Sequence, residues 1–318
     1  MPKNDINVMR IYKTKIQINS LVMLAAIFLF ILGCNRKPSL EKLKTFSAVE
    51  TYPEETWLGG VENKRALIIV AHDDDDCAMS GTIAGLSDKG WKIWQISLVA
   101  TPLKEGRVTH PATLICEGNE LLMPGIPYRK GLDTMEFPYV PIPLDEMAEQ
   151  FYTNEMVEAI VRKVEKFKPS VIFTLDHEMG GYGHPEHVYL GQIIIDLFQQ
   201  GKLTGVERIY QSVYTDHMEH EILDVWLYNR MKKYDFPNPY EIAKQVHGIE
   251  GMPEPNVQVT IEPYALEKMT YLREYHYKAR KNLRKFIPYY EDFDAQEYFG
   301  IFDREFFRVI TQKDTLSK

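Results

Sequence analysis

A chain of 318 residues with 45% hydrophobic side chains can bury a large core, which excludes a disordered chain, a disulfide-stapled miniprotein and a repeat array. Its 37 Lys+Arg against 45 Asp+Glu give a net charge of −8. There is no clustered basic stripe, which argues against nucleic acid as a partner.

Read in chain order, residues 1–33 come first. They carry Lys3, Arg10, Lys13 and Lys15 against the single acid Asp5, followed by an uncharged apolar run from Leu21 to Gly33. That run is shorter than the roughly 20 residues of a membrane span and matches the apolar region of a signal peptide. It ends Ile31-Leu32-Gly33-Cys34, which resembles a bacterial lipobox. The resemblance implies removal of residues 1–33, lipidation of Cys34, and an exported lipoprotein that meets the membrane through its anchor and faces the periplasm or cell surface. A cleaved soluble export signal and a short anchor are the alternatives. Loss of residues 1–33 leaves 33 basic against 44 acidic groups, or −11. Cys77 and Cys116 then remain as thiols, either paired in an oxidising space or present as two small buried side chains. Residues 34–60 read as a tether and entry segment, and 61–318 as one domain whose part beyond 215 is less distinct.

The domain opens with the unbroken apolar run Ala66–Ala71, as expected of a strand covered on both faces in a parallel sheet. Met79, Ile83 and Leu86 space a helix over Ala78–Lys89, Gly90 stops it, and Trp91–Val99 reads as the next strand. A long amphipathic helix over Leu144–Phe167, a strand Ser170–Leu175, a helix Glu186–Gln200 and a strand Arg208–Tyr214 continue the pattern. The expected fold is α/β, a doubly wound, mostly parallel sheet with a helical, aromatic-rich C-terminal extension. Tyr234–Asn256, with four prolines, reads as either a lid or a surface insertion, and the aromatics of Phe286–Phe307 as mostly core.

In such sheets ligands bind beyond the carboxyl ends of the strands. There the sequence places His72-Asp73-Asp74-Asp75-Asp76 and, after the strand Ser170–Leu175, Tyr182-Gly183-His184-Pro185-Glu186-His187. Either cluster has a plain reading. Acids favour the positive end of a helix, and histidines on a first helical turn opened by Pro185 are commonly solvated. Four adjacent like charges nevertheless repel, and a divalent cation would offset that repulsion.

The segment Ala-His-x-Asp-Asp followed by an acid and a Gly-Thr-Ile-Ala helix, with Gly-x-Gly-His-Pro-Glu-His later, resembles the PIG-L/LmbE family of zinc-dependent de-N-acetylases over roughly residues 65–200. Beyond 215 the likeness is thin, although a helix over Lys268–Tyr290 falls where such proteins have a closing helix. The resemblance implies one zinc held by His72, Asp75 and His187, with Asp74 as general base and His184 as its protonated partner. His72 and Asp75, three apart in a tight strand-to-helix turn, can face one ion while Asp74 points to its water. Asp73 stands in place of the family's proline and the register is short by one, so Asp76 is a rival ligand. Leu114 stands where the family has an arginine, although Glu117 fits the acid that accompanies it.

The chemistry implied is attack of activated water on an amide, with Tyr182 assisting the oxyanion. The substrate implied is an N-acyl amino sugar or glycoconjugate, which Asp133 would bind. Two rivals of other classes are a glycan-binding lipoprotein without activity and a metal phosphoesterase. The phosphoesterase would need a second metal about 4 Å from the first.

Overall fold

Seven strands form one sheet in the order β3-β2-β1-β4-β5-β7-β6. They are β1 (Arg65–His72), β2 (Lys92–Val99), β3 (Gly118–Leu121), β4 (Val171–Leu175), β5 (Arg208–Val213), β6 (Val257–Thr260) and β7 (Arg304–Thr311). The computed structural model describes residues 37–101 and 111–312. The chain divides into two units, Met1–Ser39 and Leu40–Lys318, and the second carries the sheet. The expected signal peptide and Cys34 lie outside the described residues.

Strands β1 to β5 run parallel, while β7 pairs antiparallel with both β5 and β6. The expected α/β doubly wound architecture is therefore present, with an antiparallel edge. Residues 66–71 of β1 are all buried, because helices cover both faces. Leu67 and Ile69 point into one layer with Ile194 and Phe198 of helix α3 (Pro185–Gln199) and Ile160 of α2 (Thr153–Phe167). Ile68 and Val70 point into the other, with Ile83 of α1 (Ser80–Asp88), Leu272 of α5 (Ala265–Glu274) and Leu283 of α6 (Tyr277–Phe286). A satellite cluster joins Met179 to Leu223, Leu227 and Tyr240, the last on α4 (Pro239–His247).

The chain winds from β1 outward to β2 and β3, then returns to place β4 on the other flank of β1. The crevice between the ends of β1 and β4 is thus the switch point where an open α/β sheet binds its ligand.

Four expectations shift. The helix over Leu144–Phe167 is two, Leu144–Gln150 and α2, broken where the extended Phe151 buries its ring. The helix over Lys268–Tyr290 is also two, because Tyr275 takes an extended conformation and its hydroxyl reaches the backbone of Asp73. The tether expected over 34–60 reaches no further than residue 39. Leu43, Phe46 and Leu58 are buried, and Glu54 bridges Gln258. Residues 234–256 hold α4, which carries Tyr240 and Ala243 into the core. Tyr290, Tyr298 and Phe299 of the tail are buried, in line with a packing role. Cys77 and Cys116 are free thiols.

Candidate metal centre

Strand β1 ends at His72 because the next residues curl at once into a 3-10 turn over Asp75–Ala78. The His72 backbone N–H donates to Asp75 Oδ2 at 2.7 Å, which draws the Asp75 carboxylate back beside the His72 ring. The four aspartates then divide. Asp73 accepts the Thr101 N–H at 2.8 Å, and its carbonyl accepts from Gln95 and from the Tyr275 hydroxyl. Asp76 is buried, accepts the Tyr271 hydroxyl, and is pushed well above the usual carboxylate range by burial. Asp74 and Asp75 alone of the four line the cavity.

The second motif is built from the end of β4. Asp176 is fully buried, and its Oδ1 accepts the backbone N–H groups of Glu178, Met179 and Gly180 at 3.1, 2.6 and 3.1 Å. Its Oδ2 accepts from Gly181 at 3.3 Å. These bonds hold a loop in which Gly180, Gly181 and Gly183 all have positive φ, conformations that glycine adopts without steric cost. His184 then caps α3, its Nδ1 accepting the Glu186 N–H at 3.3 Å, with Pro185 at the first helical position. One turn on, His187 Nδ1 donates to the Gly180 carbonyl at 2.9 Å.

The two motifs meet ring to ring. His72 Nδ1 and His187 Nε2 are 3.0 Å apart, and Asp75 lies 3.4 Å from each through its two oxygens. Of the other two nitrogens, His187 Nδ1 donates to Gly180, and His72 Nε2 lies 3.0 Å from a Glu186 carboxylate oxygen. Glu186 is itself held by Arg129 at 3.5 Å and by the Tyr128 hydroxyl. With its proton held on Nδ1 by Gly180, His187 turns the lone pair of Nε2 towards His72 Nδ1, and a proton on His72 or a cation shared with Asp75 can occupy that contact. Ring nitrogens of His72, His184 and His187 all lie within 4.8 Å of one another, although His184, with Nδ1 accepting the Glu186 N–H, keeps its proton on Nε2. Two imidazoles and a carboxylate suit zinc, and the donor bond from His187 to Gly180 is the kind of support that metal-binding histidines use.

The electrostatics follow from burial and from these neighbours. Burial opposes charge on His72, but Asp75 and then Glu186 overcome it and raise its pKa well above the ordinary value. Burial likewise opposes charge on Asp75, yet His187 and His72 hold it low. His184 is driven well below the ordinary imidazole range by burial and then by His187, so its ring is neutral. Asp74 is pushed up to about 7 by burial and then by Asp75. Burial raises the Tyr182 phenol, which stays protonated as a donor; its ring stacks on Phe286 at 5.1 Å.

His72, Asp74, Asp75, Tyr182, His184 and His187 form one wall of a cavity of about 670 Å³, and Met218, Leu223, Leu227 and Phe286 contribute to the rest. That size is typical of a small-molecule site. Asp133 is not among the lining residues; it sits in a 3-10 turn over Leu132–Thr134. Arg129, Tyr128 and Asp176 had no role in the sequence reading, and Glu186 entered only as part of a motif. An acid directly after a strand and four residues before a Gly-Gly pair was the one signal that would have found Asp176.

No family model matches the chain. Among solved structures it is similar to N,N'-diacetylchitobiose deacetylase from Pyrococcus horikoshii, with 17% identity, 79% of this chain and 85% of that one covered, and a TM-score of 0.40. It is also similar to the A40926 pseudoaglycone deacetylase Dbv21, at 12% identity, 79% and 99% coverage and a TM-score of 0.44. A third is GalB, the 4-carboxy-2-hydroxymuconate hydratase from Pseudomonas putida KT2440, at 12% identity, 77% and 95% coverage and a TM-score of 0.44. Likenesses this distant, to hydrolases and a hydratase alike, leave the chemistry to be argued from the site.

Proposed function

We propose that the protein is a metal-dependent hydrolase that removes an N-acyl group, in the simplest case acetyl, from an amino sugar or glycoconjugate. The observation that carries this reading is the pair of facing imidazole nitrogens of His72 and His187, 3.0 Å apart beside Asp75 at the wall of a cavity. His72, Asp75 and His187 would hold the metal, taken to be a single zinc. When bound, zinc supplies Lewis acidity that makes water nucleophilic near neutral pH and polarises an acyl oxygen.

The remaining work falls to the chain. The Asp74 carboxylate, on the cavity wall next to the ligands, takes the proton of the attacking water. The Tyr182 hydroxyl donates to the acyl oxygen as negative charge develops there. Asp74 then passes the water's proton to the departing amine, while His184, whose Nδ1 accepts the Glu186 N–H, keeps its proton on Nε2 and donates a hydrogen bond into the cavity. Export as a lipoprotein through Cys34 completes the reading and rests on the sequence of residues 21–34.

The test is amine release from a panel of N-acetylated sugars, before and after chelation and zinc restoration, with Asp74→Asn beside the wild type. Chelator-sensitive release that falls about 10²–10⁴-fold in Asp74→Asn is expected. Full activity in that variant would remove Asp74 as the base.

A further inference from the structure

Three aromatic rings that take no part in the hydrolysis meet beside the cavity, and one of them, Tyr139, lines it. Phe137, Tyr139 and Phe236 lie with centroids 5.5 to 6.2 Å apart, two of the pairs edge-on. They come from two loops distant in sequence, and both loops are seated on the site. A Cβ placed on Gly183 would lie 2.7 Å from Pro141 and 2.5 Å from Ala243. The segment after Phe137 and the helix after Phe236 therefore both pack against the residue preceding His184. Tyr139 lines the same cavity as Asp74 and His184, whereas Phe137 is 48% exposed.

Phe137 is exposed while Tyr139 and Phe236 are half-buried, and a cluster of rings part-open to water beside a cavity marks a binding surface. Its occupant must touch the cluster and still reach the metal centre, since Tyr139 belongs to both. A part-open platform beside a cavity suits a flat ring with an apolar face and a polar edge. A pyranose has that form, with axial C–H groups on one face and hydroxyls around the edge that stay solvated. A flexible chain would gain more from the enclosed apolar wall formed by Leu223 and Leu227.

We propose that Phe137 and Phe236, beside Tyr139, form a stacking subsite for a second sugar ring, next to the amino sugar whose amide is cleaved. The preferred substrate is then an oligosaccharide or glycan, not a monosaccharide. This inference rests on the hydrolase reading above, which the experiment keeps separate.

The experiment compares N-acetylglucosamine with its β-1,4-linked di- to tetramers, both as substrates of the zinc-loaded enzyme and as calorimetric ligands of the Asp74→Asn protein. Wild type should gain about tenfold in kcat/KM on passing from one ring to two or three, the worth of a good aromatic contact. Phe137→Ala and Phe236→Ala should each lose most of that gain, mainly through KM, with unchanged melting temperature. Equal handling of monomer and oligomers by the wild type overturns the subsite, as does a gain that survives both substitutions. Binding to phospholipid vesicles that Phe137→Ala abolishes, with the oligomer gain intact, would also overturn it by making the patch a membrane contact. Amine release without length preference sinks the subsite alone. Length-dependent binding without amine release sinks the hydrolase reading alone.

Discussion

The Nδ1 of His187 lies 2.9 Å from the carbonyl oxygen of Gly180, and this bond decides which nitrogen of the ring reaches Asp75. A carbonyl only accepts, so the ring proton sits on Nδ1 and the lone pair on Nε2. Gly180 in turn is fixed by Asp176, whose carboxylate collects the N–H groups of the loop. The aspartate therefore acts on the centre at one remove, through a backbone oxygen.

Asp176→Ala should lower zinc affinity by about 10- to 100-fold, the usual cost of losing a support behind a ligand. Asp176→Asn, which keeps one acceptor oxygen, should lose less. Competition with a chromophoric chelator reads both values. Unchanged affinity in the alanine variant would show that Gly180 holds its place without Asp176.

Asp75 and Asp76 should separate cleanly. Asp75→Asn removes a charge that faces two imidazoles, so bound metal should fall sharply. Asp76 faces away from the cavity into the Tyr271 hydroxyl, and burial raises its pKa well above the usual carboxylate range, so Asp76→Asn should retain its metal. Metal analysis of the two purified variants decides the register. Loss of metal from Asp76→Asn with retention in Asp75→Asn would reverse the assignment.

Gly183 has a φ of +82°, and a Cβ there would press on Ala243 at 2.5 Å and Pro141 at 2.7 Å. Gly183→Ala should cost about 2 kcal/mol or more, from the left-handed backbone and from the displaced loops. Thermal melting measures the loss. His184 should move with the loop, so turnover should fall further than stability alone explains. A variant as stable as the wild type would mean the two loops yield freely.

Glu219 begins a π-helical stretch, Glu219–Leu227, and its carboxylate accepts the Met252 N–H at 2.8 Å. Burial pushes its pKa up to about 7, against the opposing hydrogen bonds from Met252 and Tyr240. The native state then holds a proton that the unfolded chain has released between about 4.5 and 7, so this group's contribution declines as pH rises through that window. At one pKa unit per 1.36 kcal/mol, the cost above pH 7 is on the order of 3 kcal/mol. Glu219→Gln should be more stable than wild type at pH 8 and show a smaller difference at pH 4.5. Denaturant melts at the two pH values provide the check, and parallel pH profiles would refute it.

Much of the sheet could be read in advance because a strand buried on both faces, such as Ala66–Ala71, is apolar without interruption, and no other element of that length is. The helix breaks at Phe151 and Tyr275 could not. Both residues suit a helix locally, and each leaves it for a distant partner, the core in one case and Asp73 in the other. At the site, His72, Asp75 and His187 are brought together by two motifs close to strand ends, which is a pattern of order along the chain. The supports behind them are not. Arg129 and Tyr128 reach Glu186 from a segment of no regular structure, across more than fifty residues. The Phe137–Phe236 contact joins loops separated by about a hundred residues, with no periodicity to announce it.

Strand β7 is the last element among the described residues, yet it lies between β5 and β6 and not at an edge. Its Glu305 accepts the N–H groups of Gly81 and Thr82 at the start of α1 and pairs with Lys268. The first βα unit, which carries His72 and Asp75, is thus locked by a residue more than two hundred positions later. During synthesis His72, Asp75 and His187 all emerge before β5, but the sheet that holds them cannot close until β7 leaves the ribosome. Newly made chains should therefore pass most of their synthesis without a finished site, and removal of β7 should leave a protein that neither folds cooperatively nor captures metal.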